Sequence, residues 1–245
     1  MKLKTLLMAA MVTGMVAGPI ISMHAYALPE VEMTSDIEDK TPEEIIAKYI
    51  EAIGGKENVA KIKNSVMEME AEFQGAEIKI RGISDQENKR LLQETTIMGN
   101  VAQRTVLANG KGKMSAMGQE QDIPDDMLQI LQTQTYVFPE TYYASMGYEL
   151  SYRGEESING ENSHALVITA PNGMETMEYY SVASGLKLRT SSEQTGDITY
   201  GDYTEIQGVK IPMSLTIQNP MLPSALETKV TSIKFNQDLS EEDFN

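Results

Sequence analysis

The hydrophobic pattern changes from a helical period to a strand period near residue 64. A capping-box sequence, Thr41-Pro42-Glu43-Glu44, precedes a single apolar stripe, as is typical of a helix start. The stripe falls at i, i+1, i+4, i+5 and i+8 and consists of Ile45, Ile46, Tyr49, Ile50 and Ile53. Gly54-Gly55 predicts the end of this helix, and residues 56–62 predict a second, short one. We expect the stripe to cover a sheet.

From residue 64 onward, apolar and polar residues alternate. Met67, Met69 and Phe73 alternate with glutamates, and Ile78 and Ile80 continue the pattern after a turn at Gln74-Gly75. Further strands are predicted over 89–98, 101–108, 113–118, 148–154, 162–170, 174–182, 186–194, 198–206, 209–218 and 226–235. A short helical segment begins at Pro124. Short strands separated by turn-forming residues indicate one meandering antiparallel sheet or barrel.

The N-terminus has the pattern of a secretory signal. Two lysines precede an apolar run over 6–17, and Ala25-Tyr26-Ala27 offers a small-x-small cleavage site. We therefore predict a signal peptide over 1–27, an acidic flexible leader over 28–40 and a single domain over 41–245. No later segment is apolar for long enough to span a bilayer, so the mature chain is expected to lack a transmembrane segment.

Composition excludes several classes of function. The chain has 20 Lys and Arg against 36 Asp and Glu, a formal net charge of −16. Such a chain repels phosphate backbones, so no nucleic-acid binding is expected. The absence of cysteine excludes disulfides, thiolate zinc sites and lipid attachment at cysteine.

Few residues in this sequence are candidates for a catalytic role. His164 is the only histidine after the expected cleavage, and it lies inside a predicted strand without a nucleophile elbow, which favours a structural role. Paired carboxylates for glycoside hydrolysis remain open in so acidic a chain. We expect no enzyme activity, no cofactor and no metal. Twelve of the seventeen methionines follow the expected cleavage site, and they favour either an adaptable apolar cavity or ordinary core packing.

Three segments together resemble a known family. They are YIEAIGGK at 49–56, EYYSVASGL at 178–186 and DYTEIQGVKIP at 202–212. Their order resembles the LolA/LolB-like outer membrane lipoprotein-sorting proteins of Gram-negative bacteria, and similar segments occur beside insulinase-family peptidases in Bacteroidetes-type genomes. The resemblance covers roughly residues 41–245. It implies a mostly β fold with an N-terminal helix, namely an incomplete antiparallel β-barrel, or half-barrel, covered by short helices around an apolar cavity.

The resemblance implies a periplasmic, non-enzymatic carrier or chaperone that binds lipid or the acyl chains of lipoproteins. The alternative is an envelope protein-interaction module, associated with a peptidase or another outer-membrane complex. For the carrier, the residues expected to line the cavity lie on the first helix and on inward positions of the strands. They are Ile46, Tyr49, Ile50, Ile53, Met67, Met69, Phe73, Ile78, Ile80, Met213 and Leu215.

Overall fold

The computed structural model describes residues 40–193, 196–219 and 222–244. The expected signal peptide over 1–27 and the expected leader up to residue 39 lie outside these residues.

The described chain is built from three helices and thirteen strands. The helices are α1 (Pro42–Ala52), α2 (Lys56–Lys61) and α3 (Asp125–Thr133). The strands before α3 are β1 (Asn64–Phe73), β2 (Ala76–Asp85), β3 (Arg90–Ile97), β4 (Asn100–Ala108), β5 (Lys111–Ala116) and β6 (Gln119–Asp122). Those after it are β7 (Glu149–Ile158), β8 (Glu161–Thr169), β9 (Glu175–Ser181), β10 (Lys187–Ser192), β11 (Gly196–Ile206), β12 (Val209–Gln218) and β13 (Leu226–Phe235). Short 3₁₀ turns lie at Pro139–Thr141, Ala144–Met146 and Glu242–Phe244.

The strands form one antiparallel sheet in the order β6-β5-β4-β3-β2-β1-β13-β12-β11-β10-β9-β8-β7. The first and last strands, β1 and β13, meet in its middle, with Met67 opposite Ile233. The sheet is not closed into a barrel, because β6 and β7 are its two edges and do not pair with each other. The predicted mostly β architecture, an incomplete antiparallel barrel with short helices, is therefore confirmed.

The two faces of the sheet follow from the register. Met69 lies opposite Ile80 and Ala71 opposite Ile78, so these side chains share the face that the helices cover, which we call the inner face. Val66 and Ile83 lie opposite each other on the outer face. There, Phe244 from the C-terminal 3₁₀ turn packs against Ile83 and Leu92.

Helix α1 covers part of the inner face. The Thr41 side chain accepts a hydrogen bond from the Glu44 N–H, and the Glu44 carboxylate accepts one from the Thr41 N–H, which completes the predicted capping box. The apolar stripe packs onto the second half of the sheet and onto β13. This α1 cluster consists of Ile45, Ile46, Tyr49, Ile50, Ile53, Val59, Ile62, Phe138, Tyr143, Leu166, Ile168, Tyr180, Val209, Ile211 and Phe235.

Helix α3 covers a different part of the inner face. Its Leu131 packs with Leu91 of β3, Leu107 of β4 and Ile123. A Cβ added to Gly112 of β5 would lie 2.6 Å from the Leu128 side chain, so the helix approaches the strand closely at this point.

Strand β6 and the 3₁₀ turns after α3 have no counterpart among the predicted elements. All four residues of β6 are polar and exposed, and therefore show none of the alternation that marks a half-buried strand. Backbone pairing with β5, from Lys113 opposite Asp122 to Ala116 opposite Gln119, holds β6 in the sheet instead.

Candidate functional site

The inner face carries a second apolar cluster at the opposite end of the strands from α1. Its buried residues are Phe73, Ile78, Ile80, Ile217 and Leu226. Around them lie Met69, Ala71, Ile97, Ile198 and Leu222, which are only partly buried. We call these ten residues the apolar belt. In the described part of the chain, no helix residue belongs to this cluster, so the belt lies beyond the cover that α1 provides.

The structure divides most of the residues predicted to line a cavity between two places. The helix residues Ile46, Tyr49, Ile50 and Ile53 lie in the α1 cluster, each at most 9% exposed, and Met67 packs against them. The strand residues Met69, Phe73, Ile78 and Ile80 belong to the apolar belt. Met213 and Leu215 of β12 are half-buried, like every residue from 212 to 216, and they belong to neither cluster. Nine of the eleven residues thus fall into two groups at opposite ends of the strands, and the other two lie outside both.

A buried ionic cluster, which the sequence did not predict, lies beneath α1. The Lys187 ammonium donates hydrogen bonds to Glu140 Oε1 at 2.5 Å and to Glu178 Oε1 at 2.7 Å. All three residues are at most 7% exposed. Burial alone would lower the pKa of Lys187, but the Glu140 and Glu178 carboxylates outweigh it and raise that pKa, so the lysine is charged at neutral pH.

Tyrosines surround the ionic cluster. Tyr143 donates a hydrogen bond to Glu178 Oε1 at 2.9 Å, and Tyr180 donates one to Glu178 Oε2. The Lys187 ammonium lies 5.6 Å from the centroid of the Tyr49 ring and 5.4 Å from that of Tyr180. Burial, together with the neighbouring carboxylates, raises the pKa of Tyr49, Tyr143 and Tyr180 well above its usual value, so these phenols stay neutral.

The ionic cluster fixes the segment that joins α3 to β7. Glu140 belongs to a 3₁₀ turn of that segment, whereas Glu178 and Lys187 belong to the neighbouring strands β9 and β10. The Lys187–Glu140 ion pair therefore anchors the segment to the inner face. Glu140 Oε2 is buried without a hydrogen-bond partner among the described residues.

A row of polar side chains lies on the inner face of β3 and β4. Thr95 is opposite Gln103 and Gln93 is opposite Thr105, so the four side chains are cross-strand neighbours. Thr95 and Gln103 are 0% and 4% exposed. Gln93 Oε1, Thr95 Oγ1 and Gln103 Oε1 are buried and have no hydrogen-bond partner in the described chain. The sequence did not predict that these four positions face inward, because glutamine and threonine are polar and inward positions are recognised by apolar residues.

His164 is a buried residue of β8, and its ring packs against Tyr152 of the neighbouring strand β7. It is 2% exposed, and its Nδ1 lies 3.2 Å from the Tyr152 hydroxyl. Burial, with a smaller contribution from Lys40, lowers the pKa of His164, so the ring is neutral at pH 7. The hydroxyl of the adjacent Ser163 donates to the Glu156 carbonyl, away from any triad arrangement.

Two cavities border other parts of the sheet. One, of about 580 Å³, lies on the outer face and is lined by Arg90, Arg104, Lys113 and Phe244 among others. Another, of about 150 Å³, lies between Lys89, Tyr136 and Tyr148. Neither is lined by a residue predicted for the apolar cavity.

Over the described residues, no group of three or more His, Asp or Glu side chains could hold a metal ion. None of the helices in that part of the chain has the length and hydropathy needed to cross a bilayer.

Comparison with known proteins identifies the fold. No family model matches the sequence, and no curated protein does. Among solved structures, a DUF1329 family protein from Desulfovibrio piger matches with a TM-score of 0.55 at 12% identity, over 83% of this chain and 96% of that one. A LolA superfamily protein from Nitrosomonas europaea matches with a TM-score of 0.51 at 14% identity, over 84% and 98%. The resemblance predicted from three segments is therefore confirmed as a shared fold.

Proposed function

Because the chain has the LolA-like fold, we propose that it is an exported, non-enzymatic carrier that binds lipid or lipoprotein acyl chains on its inner face. The observation that supports this proposal most directly is the apolar belt. Its rim residues, including Met69, Ile97 and Leu222, are only partly buried, although they surround a fully apolar centre. A contiguous apolar surface of this kind favours an apolar ligand.

Acyl chains have the right chemistry for this surface. Each buried CH₂ group contributes about 0.8 kcal/mol, so a chain that lies along the belt gains affinity with its length and without any charge. In this proposal the ligand lies against Met69, Phe73, Ile78 and Ile80. Met213 and Leu215 of β12 contact its other side. Methionine suits such a wall, since its flexible thioether adapts to a mobile ligand.

The α1 cluster then has a supporting role. Ile46, Tyr49, Ile50 and Ile53 are packed against the sheet and border the binding region at one end. A ligand that reached further would have to displace them. We therefore assign direct contact to the strand residues first, and to the helix residues only for a ligand long enough to extend beneath α1.

Uptake of an apolar fluorophore tests the proposal. Diphenylhexatriene, which has no hydrogen-bonding group, is expected to bind with a saturable fluorescence increase that is insensitive to salt. Met69→Asp places a charge in the belt that a ligand must desolvate, so it is expected to weaken uptake by about tenfold or more.

Glu70→Lys is the matched control for Met69→Asp. Glu70 is the next residue of β1, it lies on the outer face, and its side chain is 52% exposed with Lys79 at 3.9 Å. It is expected to leave uptake unchanged. Equal effects at positions 69 and 70, or an absence of saturable uptake by the folded protein, would contradict the carrier proposal.

Export gives a separate prediction. We expect the periplasmic form of the protein to begin at Leu28, since Ala25-Tyr26-Ala27 provides the cleavage site. Intact-mass measurement of the protein from a periplasmic extract checks this. Ala27→Trp is expected to slow processing, and a periplasmic protein that retains residues 1–27 would refute the prediction.

A second candidate function, an envelope protein-interaction module, is favoured by the edge strand β7. This strand has ten residues and pairs only with β8 within the described chain. Its other edge presents backbone groups to which a partner strand can add. Failure of probe uptake, with a partner that binds through β7, would favour this candidate over the carrier.

A further inference from the structure

The four polar side chains on the inner face of β3 and β4, which we call the polar row, indicate which kind of polar group the ligand has. They are Gln93, Thr95, Gln103 and Thr105. Three side-chain atoms of the polar row, Gln93 Oε1, Thr95 Oγ1 and Gln103 Oε1, are buried without a hydrogen-bond partner among the described residues. Buried polar groups are nearly always satisfied in folded proteins, because an unsatisfied one costs the free energy of its desolvation. Three on two paired strands therefore require an explanation.

No neighbouring group of the described chain satisfies these three atoms. Gln93 uses its Nε2 to donate to Gln134 Oε1 at 2.7 Å, which leaves its own oxygen without a donor. Thr95 and Gln103 face each other across the strand pair. Two amide oxygens and a hydroxyl thus lie unsatisfied at neighbouring positions of the inner face, and a molecule that brings O–H or N–H donors can satisfy them.

The row lies directly beside the apolar belt. Thr95 is opposite Ile80, and Ile97, two residues further along the same face of β3, is opposite Ile78. Ile80 and Ile78 are buried belt residues. A molecule with an apolar chain along the belt would therefore place an adjoining polar group next to Thr95, as an amphiphile does.

The surrounding inner face is uncharged. On β3 and β4 the inward positions are Leu91, Gln93, Thr95, Ile97, Gln103, Thr105 and Leu107. The charged residues of this strand pair are Arg90, Glu94 and Arg104. Glu94 and Arg104 lie opposite each other on the outer face, where Arg104 Nε and Glu94 Oε2 are 3.6 Å apart, and Arg90 stacks on Phe244, which packs on the same face. A charged headgroup would lose its hydration here without gaining an opposite charge.

We propose that Gln93, Thr95 and Gln103 form the polar end of the ligand site and bind an uncharged hydrogen-bonding group of an amphiphile, such as a glyceryl hydroxyl or an amide. The inference rests on the proposed carrier function, since the belt must first hold the acyl chain. It adds a selection: uncharged glycerides and amides are bound, and phosphate-bearing lipids are disfavoured.

Two amphiphiles with the same twelve-carbon chain test the selection. Bound diphenylhexatriene is displaced by 1-monolauroylglycerol or by monolauryl phosphate, each below its micelle concentration. The full chain is expected to bind the glyceride at least about tenfold more tightly than the phosphate. Equal affinity, or tighter binding of the phosphate, would overturn the inference.

Substitutions in the polar row then test whether its side chains cause the preference for the glyceride. Thr95→Val and Gln103→Leu each remove a polar group and are expected to weaken monolauroylglycerol binding by about threefold to tenfold, a larger loss than any they cause in the uptake of diphenylhexatriene, which makes no hydrogen bond. Neither is expected to lower the melting temperature, because neither removes a hydrogen bond present in the free protein. Thr95→Ser keeps the hydroxyl and is expected to retain the affinity.

Thr96→Val is the matched control, since Thr96 is the adjacent residue of β3 and lies on the outer face opposite Val101. It is expected to bind both amphiphiles as the unmodified chain does. If Thr95→Val and Gln103→Leu also bind the glyceride normally, the polar row has no role in binding and this inference alone fails. If the unmodified chain takes up no diphenylhexatriene, the carrier function fails and this inference fails with it.

Discussion

Lys187→Met is expected to lower the free energy of unfolding by about 3–5 kcal/mol, because it leaves two buried carboxylates without their cation. Glu140 and Glu178 are 7% and 4% exposed, and the Oε1 atom of each accepts a hydrogen bond from the Lys187 ammonium. For a domain of this size, the loss corresponds to a decrease in melting temperature of roughly 6–20 °C. Thermal and denaturant unfolding followed by circular dichroism measure it.

Arg189→Met is the matched control for Lys187→Met on the same strand. Arg189 Nη1 lies 3.6 Å from Asp197 Oδ2, and the two side chains are 26% and 43% exposed. A pair that is this accessible to solvent contributes at most about 1 kcal/mol. If the two variants lose the same stability, the buried cluster does not have the role assigned to it.

A triple variant separates the charge effect from the loss of packing. Lys187→Met with Glu140→Gln and Glu178→Gln removes the cation together with both anions. It is expected to recover part of the stability that Lys187→Met loses, because no unpaired charge remains buried. A triple variant no more stable than the single one would show that side-chain packing, and not the uncompensated charge, dominates the loss.

The ionic cluster also shows where prediction from the sequence stops. Glu178 lies in a strand predicted over 174–182, and alternation places it on the same face as Tyr180. Alternation does not identify what lies opposite that face. Glu140 is 47 residues away from Lys187 along the chain, in a segment without a regular period, so only the folded chain brings the two together.

The sheet itself was far more accessible to prediction. The strands predicted over 209–218 and 226–235 have the observed bounds, because turn-forming residues flank them and apolar residues alternate within them. Helix α1 likewise follows from its capping box and its stripe. These signals are local, and local signals are what a single sequence contains.

The candidate site was predictable in part for the same reason. Periodicity placed Met69 and Ile80 on one face, and the register confirms that they are paired. It could not reveal that Ile50 and Ile53 are packed against the sheet while Met69 stays partly exposed, since that depends on where α1 sits along the strands. The inward-facing Gln93 and Gln103 were missed, because polar residues at inner positions break the pattern on which prediction relies.

The position of α1 depends on a close backbone contact at Gly54. Its φ is +131°, and a Cβ built there would lie 2.2 Å from the carbonyl oxygen of Gly208, in the turn between β11 and β12. The next contact is a hydrogen bond of 2.7 Å from the Lys210 N–H to the Ile53 carbonyl. The end of α1 is thus seated directly on the sheet, at a point where only glycine fits.

Gly54→Ala is therefore expected to destabilise the protein by about 2–4 kcal/mol, from backbone strain and from the clash with the Gly208 carbonyl. Denaturant unfolding measures the loss. Gly75→Ala is the control, since Gly75 also has a positive φ, of +79°, but a Cβ there meets nothing within 4 Å. It isolates the conformational cost, which we expect to be smaller, at about 1–2 kcal/mol. Equal losses at the two positions would mean that α1 shifts to accommodate the methyl group. The seating of the helix at Gly208 would then not fix the border of the inner face.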